Sequence, residues 1–136
     1  MTQEDKDLLL KDLSGRLPYK VICKVKYQDK NVHIECTGDM LLTCVKSETP
    51  MLSFKTNWYG NPTTTVMLDK VNPYLRPMSS MTKDEKEEYN SHITGIQSGI
   101  DAANLMIWIY QHHLDVFHLI EKGLALEASE DMYKTK

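Results

Sequence analysis

From Tyr19 to Tyr27 apolar and polar positions alternate. Val21, Cys23, Val25 and Tyr27 share one face, and Lys20, Lys24 and Lys26 the other. After a polar turn at 28–31, Val32, Ile34 and Cys36 alternate against Asn31, His33, Glu35 and Thr37. Period-two alternation on both sides of a polar break predicts a hairpin. A turn centred on Asp29-Lys30 would set Tyr27 opposite Val32, Val25 opposite Ile34 and Cys23 opposite Cys36, with Lys24 facing Glu35 and Lys26 facing His33. Met40 to Val45 reads as a third strand after Gly38-Asp39. Met51 to Trp58 alternates again, with Leu52 and Phe54 inward, and Thr63 to Leu68 is β-branched. Short connections make an antiparallel meander of four to five strands the simplest topology. Its expected core is Val21, Cys23, Val25, Ile34, Cys36, Leu52 and Phe54, with Lys24, Lys26 and Glu35 exposed.

The helical period appears elsewhere. Leu9, Leu10, Leu13 and Leu17 form one stripe behind a Thr2 cap, and Gly15 and Pro18 end that helix. Thr82-Lys83-Asp84-Glu85 is a capping box, and it opens a largely charged helix to about Ile93. Ser98 with Asp101 caps a further start, and Ala102 to His113 follows. Its run Leu105-Met106-Ile107-Trp108-Ile109-Tyr110 is apolar around the whole turn, so every side of it needs cover. Asp115 is placed to cap a last helix, 116–122. Gly123 stands where a left-handed terminus belongs, with Leu124 able to close on Leu119. Glu127 to Lys136 is polar apart from Met132 and Tyr133 and is expected to fray.

Between the two halves lies Asn72-Pro73-Tyr74-Leu75-Arg76-Pro77-Met78-Ser79-Ser80-Met81-Thr82. Two prolines within it lack a backbone N–H and fix φ, so we expect a packed, hinge-like connection, with Asp69 to Leu75 as a turn of helix. The reading is one α+β domain over 1–136, with helices packed on one face of the sheet. It divides into a sheet half, 19–68, a helical half, 82–126, and a tail, 127–136.

Totals narrow the function. The chain has 136 residues and a net charge of −3, which disfavours a nucleic-acid binder. No apolar run approaches the roughly 18 residues of a membrane span. Met1 to Asp7 is too polar and acidic for a signal peptide. Cys23, Cys36 and Cys44 are odd in number and lack CxxC spacing, which favours reduced thiols in a cytoplasmic protein.

Several strings carry a resemblance. The 72–82 segment with the acidic helix after it resembles uncharacterised proteins of phages, prophages and mobile elements of gut anaerobes. So do Leu8-Leu9-Leu10-Lys11-Asp12-Leu13 leading to Arg16-Leu17-Pro18-Tyr19, and Leu119-Ile120-Glu121-Lys122-Gly123-Leu124-Ala125-Leu126-Glu127-Ala128 following Trp108 and His113-Leu114-Asp115. Departures fall at Val116-Phe117-His118, where the relatives read Tyr-Arg-Gly, and at Ser129 and Asp131, where they carry Pro and Gly. The resemblance implies a bacterial cytoplasm and a phage or mobile element as source. It brings no activity and no functional residue.

Candidate chemistry is sparse. His112, His113, Asp115 and His118 are metal-ligand types, but neighbours on a helix point about 100° apart and the cluster straddles a helix end. We expect no metal and no other cofactor there. Ser79-Ser80 lacks any framing nucleophile motif. Lys20, Lys24 and Lys26, with Lys11 and Arg16 nearby, form a basic stripe without aromatics for stacking. The expected function is a small non-enzymatic binding or adaptor protein. It would self-associate, or bind a host or element-encoded protein, through Met106, Trp108, Ile109 and Tyr110. The alternatives are a metal-dependent hydrolase using the His112–His118 region and a nucleic-acid-binding accessory protein.

Overall fold

The structure, a computed structural model, describes residues 1–27, 30–36, 41–43, 51–55 and 63–133. The first helix, α1 (Gln3–Arg16), begins where expected. Thr2 Oγ1 accepts the Asp5 N–H at 3.1 Å and the Asp5 carboxylate accepts the Thr2 N–H at 3.0 Å, so the first turn is capped from both sides. The inward face of α1 carries Leu9, Asp12, Leu13 and Arg16.

Among the described residues seven strands form two sheets. The first runs in the order β2 (Lys30–Cys36), β1 (Val21–Tyr27), β6 (Val71–Leu75), β7 (Leu126–Glu127); the second is β3 (Leu41–Thr43), β4 (Met51–Lys55), β5 (Thr63–Met67). The α+β class stands, and two features of the expected meander are corrected. The larger sheet is mixed, because β6 and β7 run parallel. The meander is also split, because β1 takes β6 as its second neighbour while β3, β4 and β5 pair among themselves.

The hairpin register differs from the expected one by two residues. Val25 lies opposite Val32, Cys23 opposite Ile34 and Val21 opposite Cys36, so the connection is 28–29. A two-residue shift keeps every side chain on its face, whereas a one-residue shift would invert all of them. Alternation alone therefore left these two registers indistinguishable. Val21, Cys23 and Val25 are buried, Lys26 is exposed and Lys24 is half-buried. The side chains of Ile34, Glu35, Cys36, Leu52 and Phe54 lie outside the described residues, as does Trp58. The core adds Leu9 and Leu13 from α1, Val71 and Leu75 from β6, and Leu68, Leu119 and Leu124.

β6 replaces the expected turn of helix, which is confined to Leu68–Lys70. Val71, Pro73 and Leu75 are buried, and Asn72 and Tyr74 are half-buried. Pro73 is tolerated for a directional reason. The Tyr74 carbonyl faces β1 and the Leu75 carbonyl faces β7, where it accepts the Ala128 N–H at 2.8 Å. By alternation the Pro73 nitrogen faces the β7 side, and β7 pairs only from Tyr74 onward.

α2 (Lys83–Thr94) starts at the expected capping box, and α3 (Gly99–Gln111) starts at Ser98, whose hydroxyl accepts the Asp101 N–H. The pair builds a second cluster around Trp108, Ile109 and Leu114, with Tyr89, Leu105 and Met78 against it. The expected helix 116–122 does not form; residues 112–125 are turns and bends, with a β-bridge from Leu114 to Arg76. The Asp115 carboxylate takes the N–H groups of Leu119 and Ile120 at 2.8 and 3.0 Å, and a side chain that captures these donors displaces the helical carbonyls. Gly123 is left-handed at φ 74°, and the Leu124 N–H closes on the Leu119 carbonyl at 2.9 Å, as its sequence suggests. The C-terminal segment up to Tyr133 is held rather than frayed, through β7 and the Tyr133 hydroxyl.

Candidate functional site

The histidine cluster is dispersed by the turn that carries it. His112 stacks on Trp108 with centroids 4.2 Å apart, and its Nδ1 donates to the Trp108 carbonyl at 2.8 Å. His113 is left-handed at φ 57° and stacks on Tyr133 at 3.7 Å. Burial, with Arg16, Arg76 and His112 nearby, pushes the His113 imidazole down to about 4. Asp115 is buried under its two backbone donors, and His118 is exposed. Among the described residues no three His, Cys, Asp or Glu side chains stand where they could hold one metal ion. Ser80 turns its hydroxyl onto the Pro77 carbonyl at 2.7 Å. The basic stripe loses Arg16 to the interior, and the Lys11 ammonium lies 5.9 Å from the Phe117 ring.

Two charged junctions were not anticipated. Arg16 and Asp12 are both fully buried; Arg16 Nε and Nη2 donate to the Asp12 carboxylate at 2.7 and 2.9 Å, and Nη2 also donates to the Leu114 carbonyl. Arg16 Nη1 has no hydrogen-bond partner among the described residues. Burial pushes the Asp12 carboxyl up, against the pull of the guanidinium. The guanidinium lies 5.1 Å from the Tyr110 ring centroid, which fixes α1 against α3. The second junction is Arg76. Its guanidinium makes a bidentate pair with Glu85 at 2.9 and 2.8 Å and reaches the His112 and Ser80 carbonyls. Its own N–H and carbonyl bond to the His113 carbonyl and the Asp115 N–H at 2.7 and 2.8 Å. Arg76, with the Thr82 donors, holds the Glu85 carboxyl down at about 2. Glu85 thus caps α2 and ties it to the end of β6. Beside this junction a cleft of about 570 Å³ opens towards Glu127, Glu130 and Tyr133.

The four residues expected to meet a partner do not share one surface. Trp108 and Ile109 are buried within the chain, while Met106 and Tyr110 are half-buried. α2 supplies the cover for Trp108. Glu88 accepts the indole N–H at 2.9 Å, and the Tyr89 and His92 rings lie 6.1 and 5.8 Å from it. The opposite side of α3 is left open. Ile100 is 74% exposed and Ile107 38%, with Ala103, Asn104 and Gln111 exposed on the same face. Ile93 at the end of α2 and Ile96 in the connection are 43% and 40% exposed. Of the six large apolar residues that the described part leaves exposed, four are these isoleucines.

No known protein family, curated protein or solved structure matches this chain. Among the described residues no helix is long and apolar enough to cross a membrane. Among the described residues Asp12, Arg16, Arg76, Glu85 and Asp115 bind backbone or one another, and four of the six exposed large apolar residues lie on the α2–α3 hairpin.

Proposed function

We propose that this chain is a small non-enzymatic binding or adaptor protein, encoded by a phage or mobile element and working in a bacterial cytoplasm, whose partner surface is the outer face of the α2–α3 hairpin. The observation that carries this reading is the concentration of exposed isoleucine there: Ile93, Ile96, Ile100 and Ile107. Their exposed fractions amount to about two whole isoleucine side chains. Burying that much apolar surface is worth roughly 3–6 kcal/mol, enough to anchor a partner. The resemblance of the 72–82 and 119–128 strings supports the proposed source.

The test is capture from host lysate by the wild-type chain and by an Ile100→Glu, Ile107→Glu variant, followed by mass-spectrometric identification. A protein held by the first and lost by the second supports the reading, provided both unfold at the same temperature. Equal capture by both, or none, refutes it. One equivalent of zinc in untagged protein, lost on His113→Ala, would instead favour the hydrolase.

A further inference from the structure

We infer that the outer face of α3 is an isologous surface whose occupant is a second copy of this chain, packed antiparallel across α3 about a two-fold axis. The inference rests on the reading of that hairpin as the partner surface, and it names the partner.

The pattern of the face is symmetric about a point between Ala103 and Asn104. A two-fold axis through that point sets Ile100 of one copy against Ile107 of the other and Ala103 against Asn104, while Ile96 lies in the connection before the helix. An isologous contact requires this property, since the same patch must complement itself when reversed. Ala103 and Asn104 are short side chains at the crossing point, where helices approach to 8–10 Å. The larger isoleucines stand two turns apart on either side.

Charge agrees with this arrangement. Asp101 is the only charged residue in α3, and its carboxylate already accepts the Gln97 N–H at 3.0 Å and the Ser98 hydroxyl at 3.2 Å. Two copies of α3 therefore meet without facing like charges. By contrast α2 mixes Lys83 and Lys86 with Asp84, Glu85, Glu87 and Glu88 over its first two turns, a charged surface rather than an apolar one. The size of the face sets the strength. A 13-residue helix is about 20 Å long, so the face offers several hundred Å² per copy at most, the low end of specific interfaces. The dimer is weak and concentration-dependent.

Sedimentation equilibrium over a concentration series is the test, using the wild-type chain, the single variants Ile100→Lys and Ile107→Glu, and the double variant carrying both. Ile100 is 74% exposed and Ile107 38%, so Ile100→Lys should match the wild type in thermal unfolding, and Ile107→Glu should melt earlier while keeping the wild-type circular dichroism at the assay temperature. We expect a monomer–dimer equilibrium for the wild type, weakened more than about tenfold by either single change. The double variant should recover, because the lysine introduced in one copy then faces the glutamate introduced in the other at both ends. A wild type that stays monomeric at the highest concentration overturns the inference, as does dimerisation indifferent to the single changes. A double variant no better than the singles overturns the antiparallel arrangement. If the lysate capture is still lost on Ile100→Glu, Ile107→Glu while the wild type is monomeric, the hairpin remains a partner surface and only the second copy is refuted.

Discussion

Tyr133→Phe removes one oxygen atom and should cost about 1–3 kcal/mol. The β1–β6 ladder pairs Cys23 with Pro73, Lys24 with Asn72 and Val25 with Val71, so Ile22 and Tyr74 are the next pair in register. The Tyr133 hydroxyl is interposed there. It accepts the Ile22 N–H at 3.0 Å and donates to the Tyr74 carbonyl, relaying the bond that the two strands would otherwise make directly. In the phenylalanine variant the ring can keep its stack on His113 at 3.7 Å, while the relay is lost. A partly buried N–H without an acceptor carries a penalty of about 1–3 kcal/mol. For a chain of this size that lowers the melting temperature by about 3–15 °C. Urea denaturation should show a lower midpoint at unchanged slope, and the Ile22 amide should lose most of its protection from hydrogen exchange. Wild-type stability with the Ile22 amide still protected would refute the reasoning, since it would mean that the strands close up without the hydroxyl.

His113 is buried with its imidazole held at about 4, below the ordinary 6.5. The unfolded chain therefore binds that proton first, so the stability linked to it is present above about pH 6.5 and lost as pH falls towards 4; urea midpoints across this range should fall less steeply in His113→Gln than in the wild type. Gly15 has no room for a side chain, because a Cβ there would stand 2.5 Å from Tyr110 Cε2. Gly15→Ala should destabilise by about 1 kcal/mol despite its helix preference, and become neutral or stabilising by up to about 1 kcal/mol in a Tyr110→Ala background, as read from urea denaturation of the four chains in the cycle.

What could be read from the sequence was local. Thr82 with Glu85 and Ser98 with Asp101 act within one turn and cap the helices their spacing suggests, and Leu124 closes on Leu119 beside a left-handed Gly123, though without the helix expected before it. The strand faces of β1 were legible because alternation needs no partner. The neighbour of β1 was not legible, since β6 lies some 50 residues downstream and carries a proline that argues against pairing. Only the direction of the Pro73 nitrogen resolves that objection, and direction is a property of the assembled sheet. Asp12 and Arg16 left a usable signal. They are four apart and share a face with Leu9 and Leu13, so a charged pair was due to be carried inward. The carbonyl that completes it, on Leu114, is 98 positions away. Tyr133 left no signal beyond being an aromatic in a polar tail, because its partners Ile22 and Tyr74 lie 111 and 59 positions away.

The case of α3 joins fold to function. A run apolar on all sides required cover on all sides, and composition alone gave no phase to say which side would receive it. α2 covers the side carrying Trp108, using Glu88 for the indole N–H and Tyr89 for the ring. α1 meets another side through Gly15 and Arg16 on Tyr110. What remains open is Ile100, Ala103 and Ile107, whereas of the residues named for a partner Trp108 and Ile109 are buried and Met106 and Tyr110 half-buried. The hairpin's placement then depends on two arginines. Arg76 fixes the start of α2 through Glu85, and Arg16 fixes the turn after α3 through the Leu114 carbonyl. Both draw on carboxylates whose other role is structural, which leaves these charges committed to orienting the surface and little free to act on a substrate.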